Sequence, residues 1–103
     1  MKKIEQLSDH IKEEIEDAQT YIREAFECKE HDKAVADLYA TLAAEELKHM
    51  DMLHQQVVKV IEEYRKVKGD PPVEMQARYD ILHKIYTGDA NKVKLMIKLY
   101  KGE

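Results

Sequence analysis

Leu42-Ala43-Ala44-Glu45-Glu46-Leu47-Lys48-His49-Met50-Asp51-Met52-Leu53 reads as a helix with two polar groups set into an apolar stripe. Leu42, Glu46, His49 and Leu53 follow one another at steps of four, three and four residues, the spacing of a single helical face. A carboxylate and an imidazole placed between two leucines cost several kcal/mol unless both are compensated, and a divalent cation is the simplest compensation. The remaining sequence therefore has to be searched for further ligands.

With 103 residues the chain forms at most one domain, and alone it buries only about 60–70% of the surface its unfolded form exposes. A partner subunit is expected on that ground. Asp and Glu total 21 against 17 Lys and Arg, and the net charge of −4 disfavours nucleic acid or an anionic membrane as partner. Cations suit this balance better. No apolar run approaches the ~20 residues that span a bilayer, and Glu5 interrupts any signal-peptide core, so a cytoplasmic protein is expected. Cys28 is the single cysteine, which rules out an intrachain disulfide or a Cys-x-x-Cys knuckle. Three glycines and two prolines point to long helices and an all-α fold.

Apolar residues Ile4, Leu7, Ile11, Ile15, Ala18, Ile22, Ala25 and Phe26 keep a helical period for about seven turns. Leu7, Glu14, Tyr21 and Cys28 lie seven residues apart, which places Glu14 on a core-like seam that Glu13 does not share. The run from Cys28 to Lys33 is polar, with Asp32 available as an N-cap, and predicts a tight turn between two antiparallel helices. The second helix carries Val35, Leu38, Tyr39, Leu42, Glu46, His49, Leu53, Val57, Val60, Ile61, Tyr64 and Val67 on its apolar side. It ends at Lys68-Gly69-Asp70-Pro71-Pro72. Residues 1–68 thus form a helical hairpin and residues 69–103 a C-terminal extension of the same domain. The extension reads as a helix from Val73 to Tyr86, a break at Thr87-Gly88-Asp89, and a short fourth helix marked by Val93, Met96, Ile97 and Tyr100.

In an antiparallel hairpin, level residues share a midpoint at the turn. The midpoints of 14 with 46 and of 14 with 49 are 30 and 31.5, both inside the expected turn, so Glu14 should face Glu46 and His49. Three ligands make half of a two-metal carboxylate site, which in a four-helix bundle takes a Glu from each of two helices and a Glu-x-x-His from each of the others. Two copies related by a two-fold axis would supply four glutamates and two histidines. The expected fold is accordingly a four-helix bundle made by homodimerisation. Carboxylates with one imidazole per metal suit iron first and manganese second, whereas structural zinc favours cysteine.

Glu14 with Tyr21 seven residues later, then Glu46-Leu47-Lys48-His49 about thirty residues on, resembles one half of the ferritin-like superfamily motif. Within that superfamily the short chain is most similar to the encapsulated ferritins, whose di-iron centre is assembled between subunits. The resemblance covers about residues 10–68. It implies a ferroxidase that oxidises Fe(II) with O2 or peroxide for iron storage or detoxification. Glu14, Glu46 and His49 would be the catalytic metal ligands, with Glu46 bridging and Glu14 terminal. Tyr21 would be a hydrogen-bond donor behind them, and Glu13, Glu16 and Glu45 acids at an iron entry. It further implies a dimer or a ring of dimers within an encapsulin shell, although Leu99-Tyr100-Lys101-Gly102-Glu103 does not look like the usual docking tail.

Two other function classes share these residues. A rubrerythrin-like peroxide-reducing protein would use the same ligands, but the rubredoxin domain it usually carries cannot be built with one cysteine. A helical adaptor would use Glu14, Glu46 and His49 only as a buried polar network that sets register. Asp51-Met52-Leu53-His54 and Asp80-Ile81-Leu82-His83 repeat an acid-x-x-His spacing, and the latter could complete a site within one chain. His10 and His31 read as surface or turn residues.

Overall fold

The computed structural model describes residues 2–103. Three helices follow in order: α1 (Lys2–Cys28), α2 (Lys33–Lys68) and α3 (Val73–Lys101), with no strand among the described residues. The fold is all-α. At about 1.5 Å per residue α2 alone extends for about 54 Å, which matches the 55 Å length of the whole molecule.

The turn after α1 is closed by local chemistry. The amides of His31 and Asp32 both donate to the Cys28 carbonyl, at 3.0 and 2.8 Å. Asp32 then caps α2, its carboxylate accepting the Val35 amide at 3.1 Å. α2 stops at Gly69, whose φ of +79° only glycine adopts freely and whose amide returns to the Arg65 carbonyl. Arg65 donates across the second turn to the Gln76 side chain at 3.2 Å.

α1 and α2 pack through small residues near their shared turn, with Ala18, Ala25, Ala36, Ala40 and Ala43 almost wholly buried. Ile11, Ile15 and Ile22 of α1 join Leu47, Met50, Val57 and Ile61 of α2 in one core. α3 returns antiparallel to α2 along its length. His83 stacks on His54, and far up the helix the Tyr100 hydroxyl donates to Asp37 at 2.6 Å. Lys29 sits over the Tyr100 ring and Phe26 meets its edge, so the C-terminal turn of α3 is pinned at the α1–α2 turn. That hydrogen bond lowers the Asp37 pKa and raises that of Tyr100 to about 12.

Two expectations are corrected here. Thr87-Gly88-Asp89 does not break the chain, and the expected third and fourth helices are one continuous α3. A helix-interior glycine costs only about 1 kcal/mol, which the burial of Ala90, Val93, Ile97 and Tyr100 outweighs. The buried line of α2 is also rotated from the expected one. It runs through Ala36, Ala40, Ala43, Leu47, Met50, Val57 and Ile61, while the line of Leu42, Glu46, His49 and Leu53 lies beside it at the groove rim.

Gly88→Ala should raise stability by about 0.5–1 kcal/mol in urea unfolding of dilute protein, because a Cβ there meets nothing within 4 Å. Ile22→Ala, which empties a fully buried position, should lower it by about 2–5 kcal/mol in the same assay.

Candidate metal centre

Glu14 is carried by the middle of α1, and Glu46 and His49 lie one turn apart on α2. The level pairing set by the short turn brings them together: a ligand atom from each lies within 4.8 Å of the others. His49 Nδ1 stands 3.1 Å from Glu14 Oε2 and 3.9 Å from Glu46 Oε2. The two carboxylates are recessed, with side chains 24% and 18% exposed, whereas the His49 ring is 54% exposed. The cluster therefore lies at the mouth of the hairpin groove.

Its position relative to α3 follows from helical geometry. Asp37, His54, Phe26 and Ser8 touch or line the space beside α3. They occupy sides of α1 and α2 turned well away from those of Glu14, Glu46 and His49. The cluster opens on the side of the hairpin that α3 leaves uncovered. Leu38 lies on the same flank of α2, more than half exposed, with Leu42 and Leu53 partly buried nearer the groove.

Two carboxylates this close cannot both ionise without penalty. The Glu46 pKa is raised to about 7, chiefly by its hydrogen bond with Glu14, then by burial and by the Glu14 charge. His49 opposes the shift, and Asp17 adds to it. In the metal-free protein the cluster thus holds a proton near neutrality. A divalent cation offers the same charge compensation and fits the donors present, two carboxylates and an imidazole, which suit iron or manganese better than a thiolate-seeking metal.

The other expected site residues lie elsewhere. Glu13 is two-thirds exposed and faces His10 at 3.5 Å on its own helix. Glu16 and Glu45 are exposed, and Glu16 acts electrostatically on Tyr86 of α3. None of the three joins the cluster. Tyr21 lies nearly parallel to Tyr39, ring centroids 6.1 Å apart, which braces the hairpin two turns along α1 from Glu14. Asp80 accepts a hydrogen bond from Gln76, His83 is stacked between Tyr79 and His54, and neither joins the Glu14–Glu46–His49 group. His54 Nε2 is buried without a hydrogen-bond partner, and burial, with His83 nearby, lowers its pKa. Asp17 is the contributor that sequence reasoning missed. Its spacing of three from Glu14, on the same side of α1, was the available signal.

No protein family, curated protein or solved structure matches this chain. The functional reading rests on these residues and their geometry.

The raised Glu46 pKa has a definite sign. The folded protein binds this proton up to about pH 7, whereas an unfolded glutamate releases it near 4.5. This group's contribution to stability should fall as pH rises through that window, by up to about 1.4 kcal/mol per pH unit. His54, whose pKa burial lowers, works in the opposite sense, its contribution being lost as pH falls below the ordinary histidine value of 6.5. The native protein minus Glu46→Gln, in EDTA, therefore isolates the slope. A flat difference from pH 4.5 to 7 would mean that the two carboxyls share no proton.

Proposed function

We propose that Glu14, Glu46 and His49 form half of a di-iron ferroxidase centre, completed when a second copy of the chain closes over the open side of the hairpin. The observation that carries this reading is the convergence of the three ligand atoms within 4.8 Å at the mouth of that groove. One copy offers two carboxylates and one imidazole, too few protein donors to enclose two ions. A two-fold related copy doubles them. Half-exposed His49 and the apolar flank at Leu38 are the groups that such a closure would bury.

The roles of the chain's own residues follow from their settings. Glu46 holds a proton that Fe(II) displaces, so binding is coupled to proton release near neutrality. The Glu14 carboxylate faces His49 Nδ1 and orients the ring while the cluster is empty of metal. Glu14 and Glu46, recessed in the groove, retain the ions, and His49 supplies the nitrogen donor of each half. Fe(II) bound there would give up electrons to O2 or peroxide. Exposed Glu13 and Glu45 would attract Fe(II) without holding it, whereas Glu16, beside Tyr86 on the α3 side, is turned away from the mouth.

Anaerobic Fe(II) loading followed by elemental analysis should give about one iron per chain, and in air the native protein should accelerate Fe(II) oxidation. Glu46→Ala and His49→Ala should lose both properties, by tenfold or more, while Glu13→Ala should slow loading and leave the stoichiometry intact. Retention of no iron after mild dialysis would reject the reading and leave the three residues as a polar contact that sets hairpin register.

A further inference from the structure

The hairpin holds α3 unevenly. All the buried residues of α3, Ala90, Val93, Ile97 and Tyr100, belong to the half beyond Gly88, where the hydrogen bond from Tyr100 to Asp37 adds a latch. The half before it, residues 73–87, buries none completely, and Tyr79, Leu82 and Tyr86 on its inner side are half-buried. Space remains beneath it. A cavity of about 670 Å³ lies between this half, the start of α1 and the end of α2, and one of about 180 Å³ adjoins it around His54. The two share Ser8, Tyr79, Leu82 and Tyr86 as walls. A packed interior leaves few voids larger than a water molecule, so residues 73–87 rest on the hairpin without interlocking with it. Gly88 joins the two halves. An added Cβ there would meet nothing within 4 Å, so packing does not demand glycine, whereas glycine yields most readily where a helix bends.

The middle of this half is held by stacked rings. His83 lies over His54 with centroids 4.8 Å apart and planes 25° apart, and Tyr79 covers its other side at 5.8 Å. His54 Nε2 is buried without a hydrogen-bond partner, which a neutral ring tolerates and an imidazolium, a donor at both nitrogens, does not. The surrounding charges do not rescue the charged form. α1 presents Ser8 and Ile11, with Asp9 and Lys12 of opposite sign at the adjoining cavity. α2 presents Asp51, which favours the imidazolium. α3 presents His83, Tyr79, Tyr86 and Lys94, while Asp80 is engaged with Gln76. Burial and His83 outweigh Asp51, and the His54 pKa lies below the ordinary histidine value.

We propose that residues 73–87 are a hinged arm, which lifts from the hairpin at Gly88 when the stacked His54 and His83 take up protons, while residues 90–101 stay in place. The sign follows from the buried ring. Packed, His54 is held neutral; lifted, both of its nitrogens reach water and it charges near its ordinary value of 6.5. The arm is therefore closed above that value and opens as pH falls below it, by about tenfold per pH unit for each proton taken up. A lifted helix of about 15 residues is marginal in water, so its amides exchange with solvent. Lifting also uncovers Ile4, Ile11, Met50 and Ile61, an apolar slot that neutral pH keeps covered.

Hydrogen exchange at pH 7.5 and 5.5, corrected for the intrinsic effect of pH on the exchange rate, tests this in Glu46→Gln protein, which lacks the titrating carboxyl of the Glu14 cluster. Protection of residues 76–86 should fall about tenfold relative to that of residues 93–100 on going to pH 5.5. His54→Phe and His54→Asn, neutral at both pH values, should each hold the ratio constant. An unchanged ratio in the Glu46→Gln protein, an equal loss of protection in both halves of α3, or a tenfold fall that persists in either His54 variant would overturn the proposal.

Discussion

The structure depends on how closely α1 can approach α2. Ala18 and Ala25 on one helix and Ala36, Ala40 and Ala43 on the other belong to one core, all nearly inaccessible to solvent. Side chains this small hold the helix axes together near the turn, while the capped turn at Asp32 prevents slippage along them. Their level pairing places Glu14 opposite Glu46 and His49. A slip of one helical turn, about 5.4 Å, would separate the acids and dissolve the cluster. The cluster is thus a consequence of packing to which none of its three residues contributes.

The same packing creates electrostatic strain at the groove. Glu14 and Glu46 are held at a distance where one prefers to keep a proton, and Asp17 adds to the field. In an ordinary domain such a pair destabilises the fold, and nothing in the core requires it. The strain is relieved by a proton, by the His49 ring or by a cation. Among these the cation brings the largest compensation, because it neutralises both acids and replaces the hydrogen bond between them. Partial exposure of His49 leaves the cluster accessible to such an ion.

α3 serves the hairpin along its inner face and ends in a polar latch at Tyr100 and Asp37. The latch joins the last turn of the chain to the first turns of α2, so that α3 stiffens the side of the hairpin opposite the cluster. Its continuity through Gly88 keeps exposed Leu95 and Leu99 on the same side as Ile81 and Ile85, since a break there would have turned them away. A chain of this size buries a modest core, and several large apolar side chains stay exposed outside it.

Features set by neighbours in the chain were legible in the sequence. Asp32 and Gly69 bound α2 through their own backbone preferences, and two heptad-spaced patterns joined by a turn of known length bring Glu14 level with Glu46 and His49. Features set by competition between distant surfaces were not. Leu42, Glu46, His49 and Leu53 form as good a helical stripe as Ala43, Leu47 and Met50, and the two differ by a rotation of about one residue, 100° or less. Only the placement of α1 and α3 decided that the second stripe is buried and the first lies at the rim. Thr87-Gly88-Asp89 carries a local preference against helix worth about 1 kcal/mol per glycine, too small to survive the burial of Val93, Ile97 and Tyr100 against the hairpin. Local propensity is short-ranged and weak, so it determines the turns and caps; burial is summed over the whole interface, and it determines which face of each helix is core.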